Sequence, residues 1–452
     1  MKLWTVNKWI LAIVFFLLPF HALIVTYFKC KIGLDVTLLR FWKEIFVLVF
    51  LSGAFFVALK EARWRLFKIW EGNNLTGLTS AVLLCTFVYI FFPYFQLKAA
   101  SMLGFRYDAF FLFCLLIGFF LKSVRKNIDF LLQTVFLSAT TIVLIFLPWY
   151  LFGDIGAKSE LLGYSSEVST YDAYGCLSFS QNVDGHHRLQ ATFGWPIRFS
   201  VFLVVVYLIY VWWILDKHIK GNLRRFIIIW IPTILTFISI FYSYSKTSVL
   251  GIVFGIALIA WLASKYLFKK SLQRKYIIWI SSLLWIAFVT VAIIKRDLFL
   301  HIGAMVNRLE NLSHSVEMFF YNPIGYGLGI AGPATQIGNS LESAGGWEIA
   351  TANPNNISRF LPENWFVQIF LEQGIIGWFL FISLMILIGY YLLEIVRKKK
   401  DFFSIGLFAS FATLNFMALF THSFEEASTS YILFMIIGAY IANNISFKKE
   451  EK

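Results

Sequence analysis

Apolar residues run in unbroken blocks along this chain rather than at alternate positions. Each block is about the 20 residues that an α-helix needs to cross a bilayer. The pattern predicts helices near residues 9–28, 44–60, 76–97, 104–121, 130–152, 195–215, 226–243, 247–264, 276–294, 365–393, 402–421 and 428–446. A membrane β-barrel is excluded, because its short strands would alternate apolar and polar residues. The first block follows Lys2 and Lys8 like a secretory leader. Its apolar core is too long and no small-residue cleavage site follows, so it is expected to remain as a membrane helix.

Composition carries the same message. Of 452 residues, 59% are hydrophobic and 14% charged, against about 25% charged in ordinary soluble domains, and the mean hydropathy is +0.73. A soluble globular enzyme is excluded. The expected fold is an all-α polytopic membrane protein of about 12 transmembrane helices. Its expected division is helices 1–5 in residues 1–152, an outer-face loop at 153–194 and helices 6–9 at 195–294. A large outer loop follows at 295–364, then helices 10–12 and a cytoplasmic tail at 365–452.

A net charge of +14 would suit a nucleic-acid binder, but the basic residues sit where topology wants them. With the N-terminus inside, Lys60 to Lys68, Lys122 to Lys126, Lys217 to Arg225, Lys265 to Lys275 and Arg397 to Lys400 fall on cytoplasmic connections, the positive-inside bias. The exception is the first outer connection, with Lys29, Lys31, Arg40 and Lys43. Nucleic acid is set aside, and both termini are expected in the cytoplasm. Chemistry belongs at the outer face, where the long loops are. There Gly325, Gly327, Gly329, Gly332 and Pro333 demand turns, and Arg308 to Phe320 reads as an amphipathic helix. The cysteines Cys30, Cys85, Cys114 and Cys176 have no CxxC spacing and read neither as a metal site nor as a disulfide framework. Cys30 with Cys176 is the pair whose members both face an oxidising side.

A few polar residues need a reason. Lys246 is the single charge in the hinge Tyr242 to Ser248, either snorkelling to water or holding a phosphate in a cavity. Arg188 and Arg198 bracket the helix start at Trp195-Pro196, as interfacial anchors or as ligands for an anion. His186 and His187 lack a third metal ligand. Glu363 precedes a span, where capping through the helix dipole would explain it. Glu372 lies inside that span and should face a cavity or a partner rather than lipid. His422, Glu425 and Glu426 cluster in the last outer connection. No DxD motif occurs on an outer loop, and no Walker loop or HExxH helix is present. An enzyme of this kind would stabilise its leaving group with side-chain cations, without a metal or other cofactor.

Four elements, in order, resemble the O-antigen ligase and O-antigen polymerase superfamily of bacterial membrane glycosyltransferases. They are Arg188 to Pro196, with Thr192-Phe193-Gly194; Ser245-Lys246-Thr247-Ser248; Arg308 with Pro323-Ile324-Gly325-Tyr326-Gly327-Leu328-Gly329; and Glu363-Asn364-Trp365 followed by Glu372-Gln373-Gly374-Ile375-Ile376-Gly377. The resemblance implies a GT-C type fold in the inner (cytoplasmic) membrane with its active site facing the periplasm or outer side. It implies transfer or polymerisation of oligosaccharide repeat units from an undecaprenyl diphosphate-linked donor onto a glycan or lipid-glycan acceptor. Arg188, Lys246 and Arg308 would hold the diphosphate, Glu363 would be the general base with His422 second, and Glu372 and Arg198 would shape the cleft. Lys246 stands where the family shows arginine, keeping charge without the bidentate fork. Glu363 stands where the ligases have histidine, closer to the polymerase branch. The rival from another class is a lipid-linked oligosaccharide flippase, although related halves and midplane broken helices are not evident. A cell-wall elongation polymerase of the shape-and-division type shares such donors, but its motifs are not matched.

Overall fold

A computed structural model describes residues 8–61, 74–92, 98–153, 160–165, 176, 182–183, 186–218, 223–267, 312–313, 315–332, 334 and 362–445. The principal helices are α1 (Lys8–Lys31), α2 (Trp42–Glu61), α3 (Asn74–Tyr89), α4 (Lys98–Phe120), α5 (Ile128–Phe152) and α6 (Pro196–His218). They continue with α7 (Leu223–Tyr242), α8 (Lys246–Tyr266), α9 (Trp365–Lys399), α10 (Phe402–Ala418) and α11 (Ala427–Asn444). The one strand pairing among the described residues joins Asn182–Val183 to His186–His187. Within the described residues, 7 helices are long and apolar enough to cross a membrane, and α3 and α10 are shorter apolar helices. The chain is thus a helical, multi-pass membrane protein. The helix expected near 276–294, Arg308 and most of the loop at 295–364 lie outside the described residues.

Several boundaries differ from expectation. The block at 76–97 gives a helix that stops at Tyr89, because Pro93 cannot continue one and restricts the residue before it. Of the amphipathic stretch expected over Arg308 to Phe320, the described residues 312–313 and 315–320 are helical, and the helix runs on to Tyr321. The cysteines need a larger correction: Cys30 and Cys176 form a disulfide, with Cα atoms 6.0 Å apart across a sequence separation of 146. Spacing along the chain says nothing about a pair that the tertiary fold brings together. The bridge ties the end of α1 to Cys176 in the segment between α5 and α6.

At the centre, α11 is buried from Ala427 to Ile441 and runs against α4. Gly118 meets the backbone of Met435 and Gly438 that of Leu115, approaches that any Cβ would block and that typify close helix crossings in membranes. Pro19 interrupts α1 with a 3-10 turn. Thr192 fills the break: its hydroxyl donates to the Pro19 carbonyl at 2.6 Å, and its own carbonyl accepts from Leu23 N at 3.2 Å. A side chain inserted into a helix ladder is a recognised cause of a kink. Here it docks the 188–196 stretch on the bundle and aims it into α6, whose first residue is Pro196, a favoured position for proline.

Candidate functional site

The docked stretch brings Arg188 to the hinge between α7 and α8. Arg188 Nε donates to the Ser243 carbonyl at 2.9 Å, and Leu189 N donates to the Tyr242 carbonyl at 2.9 Å. Tyr150 secures the preceding residue by donating its hydroxyl to the His187 carbonyl at 2.6 Å. The hinge turns through Tyr244, at φ +47°. It then starts α8 at Lys246, with the Ser245 hydroxyl accepting from Ser248 N as a cap. Ser248 is in turn 2.7 Å, hydroxyl to hydroxyl, from Ser200 in the first turns of α6. Two residues far apart in sequence, Arg188 and Lys246, are therefore held on one turn. Both are half-buried. Burial pushes the Arg188 guanidinium down to about 10, which leaves it charged at neutral pH. The His187 side chain is exposed, and no group of three or more potential metal ligands occurs among the described residues.

The second part of the site lies where α9 begins. Asn364, not Glu363, caps this helix: its Oδ1 accepts from Phe366 N at 3.0 Å and Val367 N at 3.2 Å. Glu363 therefore does not supply the hydrogen-bond cap. That residue sits one position earlier, half-buried, at φ +45°, a left-handed conformation that costs a side-chain-bearing residue about 1–2 kcal/mol. One turn into α9, fully buried Gln368 places its Oε1 2.8 Å from His422 Nδ1. The contact leaves the donor role to the tautomer of the ring, and Nε2 is buried with no hydrogen-bond partner among the described residues. Burial first, then the charge of Arg198, pushes His422 down to about 3. Burial pushes the neighbouring Glu425 carboxyl up, partly opposed by Arg198. His422 is uncharged at neutral pH, so its 3.9 Å approach to Glu425 is not an ion pair. Arg198 instead lies 3.8 Å from Glu426 Oε2. A continuous polar rim thus runs from Arg188 through the hinge to α6, across Arg198 and the 422–426 connection, and on to the start of α9.

Glu372 is different in kind. It is fully buried, and its Oε1 accepts from Gly329 N at 2.9 Å and Ala331 N at 3.1 Å. Its backbone carbonyl takes Gly327 N at 3.0 Å, and Leu371 O takes Tyr326 N at 2.9 Å. The glycine-rich turn is bound to α9 along this edge. The approach is possible because Gly374 leaves helical geometry at φ +61° and ψ −167°, where a Cβ would lie 2.0 Å from the Ile324 carbonyl oxygen. Beside the kink Gln373 donates to Asp108 Oδ2 at 2.8 Å, and Thr86 donates to Gln373 Oε1 at 3.1 Å. The Asp108 carboxyl also meets that of Glu372.

Gln368, Glu44, Arg106 and Asp108 were not singled out in the sequence, and Asn364 and Lys43 stood there only as a motif neighbour and a charge exception. Two signals pointed to Arg106, Asp108 and Lys43. Arg106 and Asp108 are ionisable residues inside an apolar block, which is costly without partners, and Lys43 stood against the charge bias of the other connections. In the fold, Arg106 Nε pairs with Glu44 Oε1.

Residues 231–382, about a third of the chain, match the family model described as O-Antigen ligase. The chain carries an O-antigen ligase domain. The match takes in three of the four elements that carry the resemblance: the Ser245 to Ser248 hinge, the glycine-rich turn, and Glu363-Asn364-Trp365 with the Glu372 to Gly377 kink. Arg188, Arg198 and His422 lie outside the matched domain and reach it through the contacts above. No curated protein matches the chain.

Proposed function

We propose that the protein is a membrane glycosyltransferase that transfers or polymerises oligosaccharide repeat units from an undecaprenyl diphosphate-linked donor. In this reading it works at the outer face of the cytoplasmic membrane, with about twelve spans of GT-C type and both termini inside. The observation that carries the proposal is the convergence of Arg188 and Lys246 on one turn, within and beside the O-antigen ligase domain. The Cys30–Cys176 bridge supports an oxidising outer side for the loops that build the site.

A polyprenyl diphosphate holds its charge at headgroup depth. Arg188 and Lys246 neutralise it there, and Arg308 is the third cation of the family pattern. An acceptor hydroxyl attacks the anomeric carbon of the donor sugar, and the bond from that carbon to the phosphate oxygen breaks. The electron pair leaves with the diphosphate, whose charge the cations stabilise. The hydroxyl proton passes to Glu363 as general base. His422, held near 3 by burial, is a weak base, so Glu363 takes precedence. Neither a nucleotide sugar nor a metal is required. Glu372 and Arg198 shape the cleft, the first by fixing the glycine-rich turn.

Purified protein in liposomes with a fluorescent undecaprenyl diphosphate oligosaccharide tests the reading. Growth or transfer of the glycan is expected, with near-complete loss in Arg188→Ala and Lys246→Ala and substantial retention in Lys246→Arg. Movement of the probe between leaflets without any new glycosidic bond would identify a flippase instead.

A further inference from the structure

On the α1, α2 and α4 side of the α6 N-terminus lies a second group of cations, with Lys43 buried and Arg106 and Arg198 partly exposed. Lys43 is the second residue of α2 and only 6% exposed. No hydrogen bond or ion pair reaches its ammonium from the described residues, although it lies within electrostatic range of Arg106, Glu44, Glu426 and Arg198. Arg106 is committed to Glu44 and hydrogen-bonds Tyr431, while Arg198 leans towards Glu426 at 3.8 Å. Arg106 and Arg198 thus each lie against a carboxylate, while Lys43 beside them is buried with none in contact among the described residues. An ammonium withdrawn from water with three unused donors is costly unless something anionic completes its shell. The N-terminus of a 20-residue helix adds to the positive potential there. Arg188, by contrast, is bonded to the Ser243 carbonyl in the hinge between α7 and α8.

We propose that Lys43, Arg106 and Arg198 form a second anion site that takes the phosphate of another lipid-linked molecule, in the first instance the headgroup of the acceptor. The proposal rests on the transferase reading. An enzyme that joins two lipid-linked glycans has two phosphate headgroups to hold at the same depth, and Arg188 with Lys246 accounts for one. Phosphate suits the group because it offers several oxygens to donors that converge from three helices, and Arg198 and Lys43 bring point charge at the level of lipid headgroups. A bilayer phospholipid presents the same chemistry, so the experiment separates the two sources.

The full chain in phosphatidylcholine nanodiscs is titrated with undecaprenyl diphosphate, and bound lipid is counted by native mass spectrometry. Two molecules per chain are expected for the parent and one for each of Lys43→Met, Arg198→Gln and Lys246→Gln. In phosphatidylglycerol nanodiscs, a parent count that falls to one while Lys43→Met is unchanged names a bilayer phospholipid as occupant of the Lys43 site. A count that stays at two names the lipid diphosphate. Two molecules retained in Lys43→Met would overturn the proposal. So would a single molecule in the parent that disappears in Lys246→Gln and persists in Lys43→Met, an outcome that leaves the transferase reading standing. A single molecule lost in Lys43→Met and kept in both Lys246→Gln and Arg188→Gln would do the reverse. Heat stability without added lipid diphosphate supplies the control for folding. Removing an unneutralised buried charge leaves Lys43→Met at least as stable as the parent. A less stable Lys43→Met would mark Lys43 as a structural member of the ion network and defeat the proposal.

Discussion

Glu372 and Glu363 stand nine positions apart at the start of the same helix, yet the fold treats them oppositely. Glu372 is fully buried and spends its carboxylate on backbone N–H groups of a glycine-rich turn. Glu363 is half-buried, holds a left-handed backbone and leaves the capping of α9 to Asn364. The first arrangement satisfies the peptide groups that a buried loop would otherwise orphan. The second retains a strained conformation with no structural return in the helix it precedes, a pattern that collects at functional sites. Burial and strain thus separate a carboxylate that holds the glycine-rich turn from one held half-buried on a strained backbone at the start of the helix.

The largest expected effect lies on the scaffold side. Gly374→Val puts a Cβ about where the Ile324 carbonyl stands, 2.0 Å away, and no rotamer relieves a clash between backbones. Loss of monodisperse protein on size exclusion is expected. Glu372→Gln keeps an acceptor for Gly329 N and Ala331 N and should be recovered as a folded protein. A well-behaved Gly374→Val would show that the kink is dispensable and dissolve the contrast from that end.

Next in size is turnover at the other carboxylate. Glu363→Gln keeps shape and polarity but cannot take a proton, so kcat should fall about 100-fold or more with little change in donor KM. A kcat within a few fold of the parent, in folded protein, would remove Glu363 as base and shift attention to His422.

What could be read in advance follows the same division. The seven spans found among the described residues were legible because roughly 20 apolar residues in a row have few other fates, and the glycine-rich turn was legible from its glycines. The kink at Gly374 was not, since hydropathy continues across it unchanged. Ser245 to Ser248 could be read as a hinge, but its union with Arg188 depends on Thr192 filling the break in α1. The Gln368–His422 contact and the Cys30–Cys176 bridge join segments with no local signal. Asn364 as cap was available from ordinary N-cap preference, and Glu363 drew the attention because it carries charge.

A smaller effect concerns acid. His422 titrates near 3 in the fold and near 6.5 in an unfolded chain, so the unfolded state binds the extra proton between those values. The stability that this burial supports is complete above about pH 6.5 and is lost progressively as pH falls towards 3. Thermal melts should show that decline, and His422→Gln should flatten its share. The same shift means that His422 contributes no step to a kcat profile between pH 6 and 8. A step there that vanishes in His422→Gln would place a titrating, accessible imidazole at the site.

The smallest effect tests the comparison most directly, because two adjacent residues should move stability in opposite directions. Asn364→Ala forfeits the acceptor for Phe366 N and Val367 N, at about 1 kcal/mol for a lost N-cap. Activity should follow only as far as the helix start loosens. Glu363→Gly should raise stability, since glycine adopts φ +45° without the Cβ penalty of about 1–2 kcal/mol, less what glycine gives back through a more disordered unfolded chain. The net gain is under about 1 kcal/mol, and it should coincide with loss of glycan transfer. A residue kept for the helix would show both quantities falling together. Denaturant midpoints and transfer rates on the same Glu363→Gly preparation decide the matter: a less stable protein that still transfers glycan would return Glu363 to a structural role.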